Sequence, residues 1–199
     1  MKFIDIAFGA TLVAFGLGSL AGAALTAYSF TFRGFLLLLI NSRVVAPVRA
    51  ATALGGIAVT LLIFFNNCVP VALSFVYPWV IGKVRWEPPL RKATANRLLT
   101  AFSLLTGSLV GFFSLGATLM LVEELRGPAM VSRLLVTSVV HGPLEFFFVL
   151  LCVAEPLRLG LQEVDHDRFV ELLRGDLNLL FICLIGLLVS AAIEVFAGL

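Results

Sequence analysis

Residues Ala50 to Gly82 read AATALGGIAVTLLIFFNNCVPVALSFVYPWVIG, thirty-three residues without a single Asp, Glu, Lys or Arg. As one straight helix this stretch would reach about 50 Å at 1.5 Å per residue, beyond a hydrocarbon core of about 30 Å. An uncharged apolar run of this length belongs in a lipid bilayer. It is too long for one upright span and too short for two. At its middle lies Asn66-Asn67-Cys68-Val69-Pro70, where Pro70 removes a backbone donor and the asparagines can bond freed carbonyls. A break is expected there, leaving either a re-entrant half or one kinked, tilted span. Tyr77, Trp79 and Trp86 read as an interfacial aromatic belt at its far end.

The rest of the chain has the same character. Of its 199 residues 60% are apolar and 13% charged, against about 25% charged in a soluble domain. Mean hydropathy is +1.08. Ile6 to Phe32 and Leu98 to Val122 are also free of charge. This pattern excludes a soluble enzyme, a disordered chain and a sizeable water-facing domain, because no hydrophilic stretch is long enough to fold alone. A net charge of +2, with the basic residues at the ends of apolar blocks, argues against nucleic acid and for contact with lipid headgroups. Cys68, Cys152 and Cys183 lie inside apolar segments without CxxC spacing, which reads as buried thiols rather than a disulfide or metal site.

Outward from the central block, Phe3 to Phe30 forms a retained first span, since an uncharged run of about 27 residues exceeds a signal peptide's apolar core. Within it Gly18 and Gly22 are spaced for close helix packing, inside the monomer or across a dimer seam. The run Phe35 to Ile40 is too short to span and is expected at the interface. Gly107 and Gly111 mark a second close-packing face in the third block. Leu134 to Ala154 is a fourth block and Leu177 to Leu199 a last one. Between these two, Leu157 to Asp176 mixes charges with apolar residues at spacings of three and four, the pattern of an amphipathic interfacial helix or pair of turns.

The expected fold is therefore all-α: a single transmembrane domain over residues 1–199, with about five membrane-spanning helices plus interfacial helices. With five crossings, nine basic residues share the side of Lys2, Lys83 to Arg97 and Arg174, against five on the other side. The positive-inside rule then places the N-terminus in the cytoplasm.

Polar residues inside the apolar blocks carry what functional signal there is. His141 and Glu145, four residues apart in the fourth block, face the same way on a helix, and Gly142-Pro143 between them favours a kink or a helix start. Ionisable groups at such depth face protein or a water cavity and mark candidate sites. Three readings stay open: a structural polar staple in which the two side chains bond each other or an asparagine such as Asn66 or Asn67, proton or cation handling, or metal ligation or chemistry. A lone His and Glu fall short of the three or four ligands a zinc site needs, so no metal and no cofactor are expected. Glu194 follows a long uncharged run near the chain end, and is expected to be hydrated or to meet a cation or donor such as Arg33, Arg43 or Arg126.

Four pieces in order, Phe64-Phe65-Asn66-Asn67, Gly107 with Gly111, His141-Gly142-Pro143-Leu144-Glu145 with Gly160-Leu161 downstream, and Ala191-Ala192-Ile193-Glu194-Val195-Phe196, resemble the stage II sporulation protein M family of polytopic prokaryotic membrane proteins. The resemblance runs from about Ala50 to the C-terminus and rests most on a His-Gly-x-x-Glu motif. Where that family carries a proline before the histidine this chain has Val140, and Phe146-Phe147 replaces a Leu-Pro after the glutamate. What the resemblance implies is a membrane protein without an established catalytic activity, in a family whose sporulation member acts as a scaffold for cell-wall-degrading partners. Asn66, Asn67, His141, Glu145 and Glu194 would then form a polar core.

The leading expectation is a non-enzymatic scaffold in the cell membrane, binding protein partners or a second copy of itself. A channel or transporter lined by the same polar residues is the runner-up. An intramembrane enzyme comes last, because the chain has no Ser/His/Asp set, nucleophile elbow or HExxH motif.

Overall fold

The computed structural model describes residues 2–42, 46–83, 89–129, 131–132, 136, 141–162 and 166–197, and among these every regular element is a helix. Four stretches are long and apolar enough to cross a membrane: Phe3–Tyr28, Gly56–Gly82, Lys92–Glu123 and His166–Phe196. The protein is an all-α membrane bundle. Of the fourth block expected from sequence, the first half falls mostly outside the described residues.

Helix α1, Lys2–Tyr28, is followed at once by α2, Phe30–Ile40. Ser29 caps α2, its hydroxyl accepting the Phe32 amide at 3.2 Å. The short run Phe35 to Ile40 thus completes a helix that buries Leu36 against Ala117 and Leu121.

The central block divides where a non-glycine residue would be strained. Gly55, at φ +101°, separates α3, Ala46–Thr52, from α4, Gly56–Gly82. No break occurs at Asn66–Pro70: α4 is one helix with Pro70 and Pro78 inside it, which corrects the sequence expectation. Pro70 withholds one amide from the ladder, whereas breaking the helix in lipid would orphan several backbone groups. Ser74 adds a local bond, its hydroxyl donating to the Pro70 carbonyl at 2.7 Å.

Next come α5, Pro89–Val110, a π-helical segment, Gly111–Ala117, and α6, Thr118–Arg126, in one continuous run. This run lies parallel to α1 with backbone against backbone. A Cβ on Gly18 would strike the Ser108 carbonyl, one on Gly22 the Phe112 carbonyl, and one on Gly111 the Phe15 carbonyl. On Gly107 it would sit 2.9 Å from Thr11 Cγ2. All four glycines singled out in the sequence therefore pack inside the monomer. Gly116 belongs to the same seam, against the Ser19 carbonyl. It follows Gly111 by five residues, a spacing an α-helix would rotate away, and the π turn brings it back to the seam. Thr118 supports that turn by donating to the Phe113 carbonyl at 2.6 Å.

The second half of the bundle contains α7, Gly142–Val153, α8, Glu155–Leu161, α9, His166–Gly175, and α10, Leu177–Ala197. Gly56 meets Val195 and Phe196, and Gly186 meets the Phe148 ring, so α4 and α7 both run antiparallel to α10. These three helices share a core of Val71, Phe75, Val149, Cys152, Val153, Cys183 and Leu187. Ring pairs Phe8–Phe147 and Phe15–Phe146, with centroids 5.8 and 5.1 Å apart, fasten α7 antiparallel to α1. Ser103 joins the halves by donating to the Val153 carbonyl at 2.6 Å, and Thr11 Oγ1 lies 3.3 Å from Ser103 Oγ.

The segment Leu157 to Asp176, expected as one amphipathic interfacial element, divides into two parts with different fates. Helix α8 is buried almost completely, with Leu157, Leu159 and Gly160 in the core and Gly160 against the Asn96 carbonyl of α5. Only α9 is amphipathic, burying Phe169 and Leu173 beside Ala95, Leu99 and Leu159. The reason lies in the charges: Arg158 of α8 is consumed by an internal ion pair, whereas Asp167, Arg168, Glu171 and Arg174 of α9 are exposed.

Candidate functional site

Pro143 takes the first turn of α7, where its missing amide has no carbonyl to serve, so the described helix starts at Gly142, one of the two outcomes expected of the His141-Gly142-Pro143 sequence. The His141 carbonyl accepts the Glu145 amide at 2.9 Å and the Ser190 hydroxyl of α10 at 3.0 Å. Ser190 precedes Glu194 by one turn, which carries Glu194 to the same end of α7. Glu194 lies within electrostatic reach of both Glu145 and His141. His141, Glu145 and Glu194 are each half-buried. The structure thus brings together three of the five polar residues picked out in the sequence.

The asparagines divide. Asn67 sits one turn before Val71 on α4, as Glu145 sits one turn before Val149 on α7, and the two helices run the same way with Val71 and Val149 in one core. Asn67 is half-buried at that level, while Asn66 is exposed. Among the described residues no side-chain hydrogen bond joins His141 to Glu145, or either of them to an asparagine. The expected arginine partners of Glu194 are elsewhere. Arg33 Nη2 donates to the Ala27 carbonyl at 3.3 Å, Arg126 is exposed, and Arg43 lies outside the described residues.

A second polar group, not foreseen from sequence, lies at the opposite end of α7. Glu155 is 1% exposed, and both its carboxylate oxygens accept from Arg158 Nε at 2.8 Å. Arg158 Nη2 bridges onward to Asp176 Oδ2 at 2.6 Å, tying α8 to the junction of α9 and α10. One cation thus serves two carboxylates. Burial pushes the Glu155 carboxyl up to about 8, with neighbouring Asp176 acting in the same sense against the pull of Arg158. The available signal was Glu-x-x-Arg at the start of a proline-initiated helix, with spacing for an i,i+3 pair.

Between the two groups lies the apolar core of α4, α7 and α10. The fold therefore holds the two ionisable clusters apart with a packed apolar layer. Comparison with protein-family models, with curated proteins and with solved structures gives no match in any of the three.

Proposed function

We propose that this chain is a non-enzymatic, multi-pass scaffold of the cell membrane, similar in role to the stage II sporulation protein M family, crossing the bilayer five times. The observation that carries the reading is the packed layer between the two polar clusters. Val71, Val149, Cys152, Val153 and Leu187, all at most 3% exposed, fill the space between the His141–Glu145–Glu194 end and the Glu155–Arg158–Asp176 end. A transporter needs polar groups that meet along a wet route, whereas a scaffold needs helices fixed in register. Helix direction supports five crossings: α1, α5 and α10 run one way and α4 and α7 the other, so the blocks alternate if Leu134 to Ala154 is the fourth. With the glycine seam used up between α1 and α5, partner proteins or a second copy would meet the outward faces of α4, α9 and α10.

The test pairs two measurements on the full chain. Cross-linking and co-purification from native membranes should capture a defined protein partner at fixed stoichiometry, and proteoliposomes should show no proton or cation flux. Flux lost in Glu145→Gln would reverse the assignment in favour of a transporter, the reading that the proximity of Glu145, Glu194 and His141 at a helix start favours.

A further inference from the structure

Near the Lys83 end of α4, a cavity of about 350 Å³ opens between α4 and the junction of α9 with α10. Its walls are Phe75, Val76, Trp79, Leu173 and Leu177, and Arg174 is the one charged residue lining it. Val76, Trp79 and Leu177 are each about half exposed, so the cavity faces outward, toward the lipid that surrounds a membrane bundle. The close seat of α9 forms it: Phe169 packs over Gly82, where a Cβ would come within 2.9 Å of the ring.

Among the described residues, the charges placed at the mouth are cations. Lys83 Nζ lies 3.6 Å from the Trp79 ring centroid, so this ammonium is held beside the same indole that walls the cavity. Arg174 reaches the opening from α9. The acidic residues flanking Arg174 in sequence are engaged: Glu171 pairs with Arg168, and Asp176 pairs with Arg158. Among the described residues neither Lys83 nor Arg174 has a carboxylate partner. An apolar trough ending at two cations and an indole matches an amphiphile with an acyl chain and an anionic head.

We infer that the groove between α4 and the α9–α10 junction is a binding site for one anionic phospholipid, its acyl chain against Phe75, Val76 and Leu177 and its phosphate between Lys83 and Arg174. This rests on the membrane residence of the chain and not on its scaffold role. It also gives the aromatic belt residue Trp79 a particular use, since its ring both walls the trough and positions a cation. A phosphate head recruits two donors at once, whereas a zwitterionic head brings its own cation to the same place and loses the advantage.

Trp79 reports on the site directly. In a Trp86→Phe background it is the only tryptophan, and the full chain is reconstituted into phosphatidylcholine vesicles containing increasing fractions of either brominated phosphatidylglycerol or brominated phosphatidylcholine. Quenching by the anionic lipid should exceed its mole fraction, corresponding to a preference of about fivefold for each cation engaged, and fall toward parity in Lys83→Gln/Arg174→Gln. Arg126→Gln, which removes an exposed charge from the end of α6, should leave the preference unchanged. Quenching by brominated phosphatidylcholine checks that each variant is folded and inserted. Equal quenching by both lipids in the parent chain overturns the site, as does a preference that survives the double substitution or is lost equally in Arg126→Gln. No quenching by either lipid would overturn membrane residence itself, a distinct result.

Discussion

Glu145 and Glu155 are ten residues apart, at the two ends of α7, and the bundle treats them in opposite ways. Glu155 is sealed in with a cation that holds it through both oxygens and bridges to Asp176. Glu145 has a like charge, Glu194, and one histidine for company, and stays half-buried. One end is a closed ion cluster that joins three helices. At the other end the firm attachments are made by backbone, the His141 carbonyl receiving both its own helix and Ser190. A carboxylate deep in a membrane protein is thus no single kind of feature: the cation within reach decides whether it acts as a joint or remains available.

Removing the shared cation should have the largest effect. Arg158→Ala takes the shared donor from buried Glu155 and part-buried Asp176 and is expected to lower stability by about 1–3 kcal/mol, read as a fall in the unfolding midpoint in detergent. Arg158→Lys, which keeps charge without the two-pronged geometry, should lose less. An alanine variant that melts with the parent would dissolve the contrast between the two ends.

Stability should also depend on pH through Glu155. Its folded value is raised from 4.5 to about 8, so between these limits the folded chain holds a proton that the unfolded chain has released. The contribution is complete below about 4.5 and falls as pH rises toward 8. Melting the protein between pH 5 and 9 should show this decline, and Glu155→Gln should flatten it. An unchanged slope in that variant would assign the dependence to other groups.

At the other end, Ser190→Ala should cost about 1 kcal/mol by taking one donor from the His141 carbonyl, with Ser190→Thr close to the parent. A loss as large as that of Arg158→Ala would show that the His141 end is as tightly built as the Glu155 end. The smallest change is expected for Glu194→Gln, a gain of a few tenths of a kcal/mol near pH 8, because it relieves a like-charge contact with Glu145. A marked loss instead would mean that Glu194 serves as an acceptor and that His141 is its partner in earnest.

Much of this architecture is legible in the chain itself. Absence of charge over Ile6 to Phe32, Ala50 to Gly82 and Leu98 to Val122 dictates helices in a bilayer, because an apolar solvent leaves backbone groups no partner except one another. Glycines at spacings of four mark where helices approach, and charged residues inside such blocks mark where the bundle must face itself. These are properties of composition and period, and they hold before any contact forms.

Other features depend on which helices become neighbours. The glycines of α1 could have faced a second chain, and it is the parallel docking of α5, with its π turn aligning Gly116, that commits them to the monomer. Pro70 looked like a break, yet the cost of orphaned backbone groups in lipid keeps α4 whole around it. Arg158 and its two carboxylates read in sequence as one amphipathic face, because a pair spaced i,i+3 looks the same in water as in a core. Only the burial of α8 among α1, α4 and α5, which withdraws water from Glu155 and brings Asp176 back eighteen residues later, turns that face into a closed cluster.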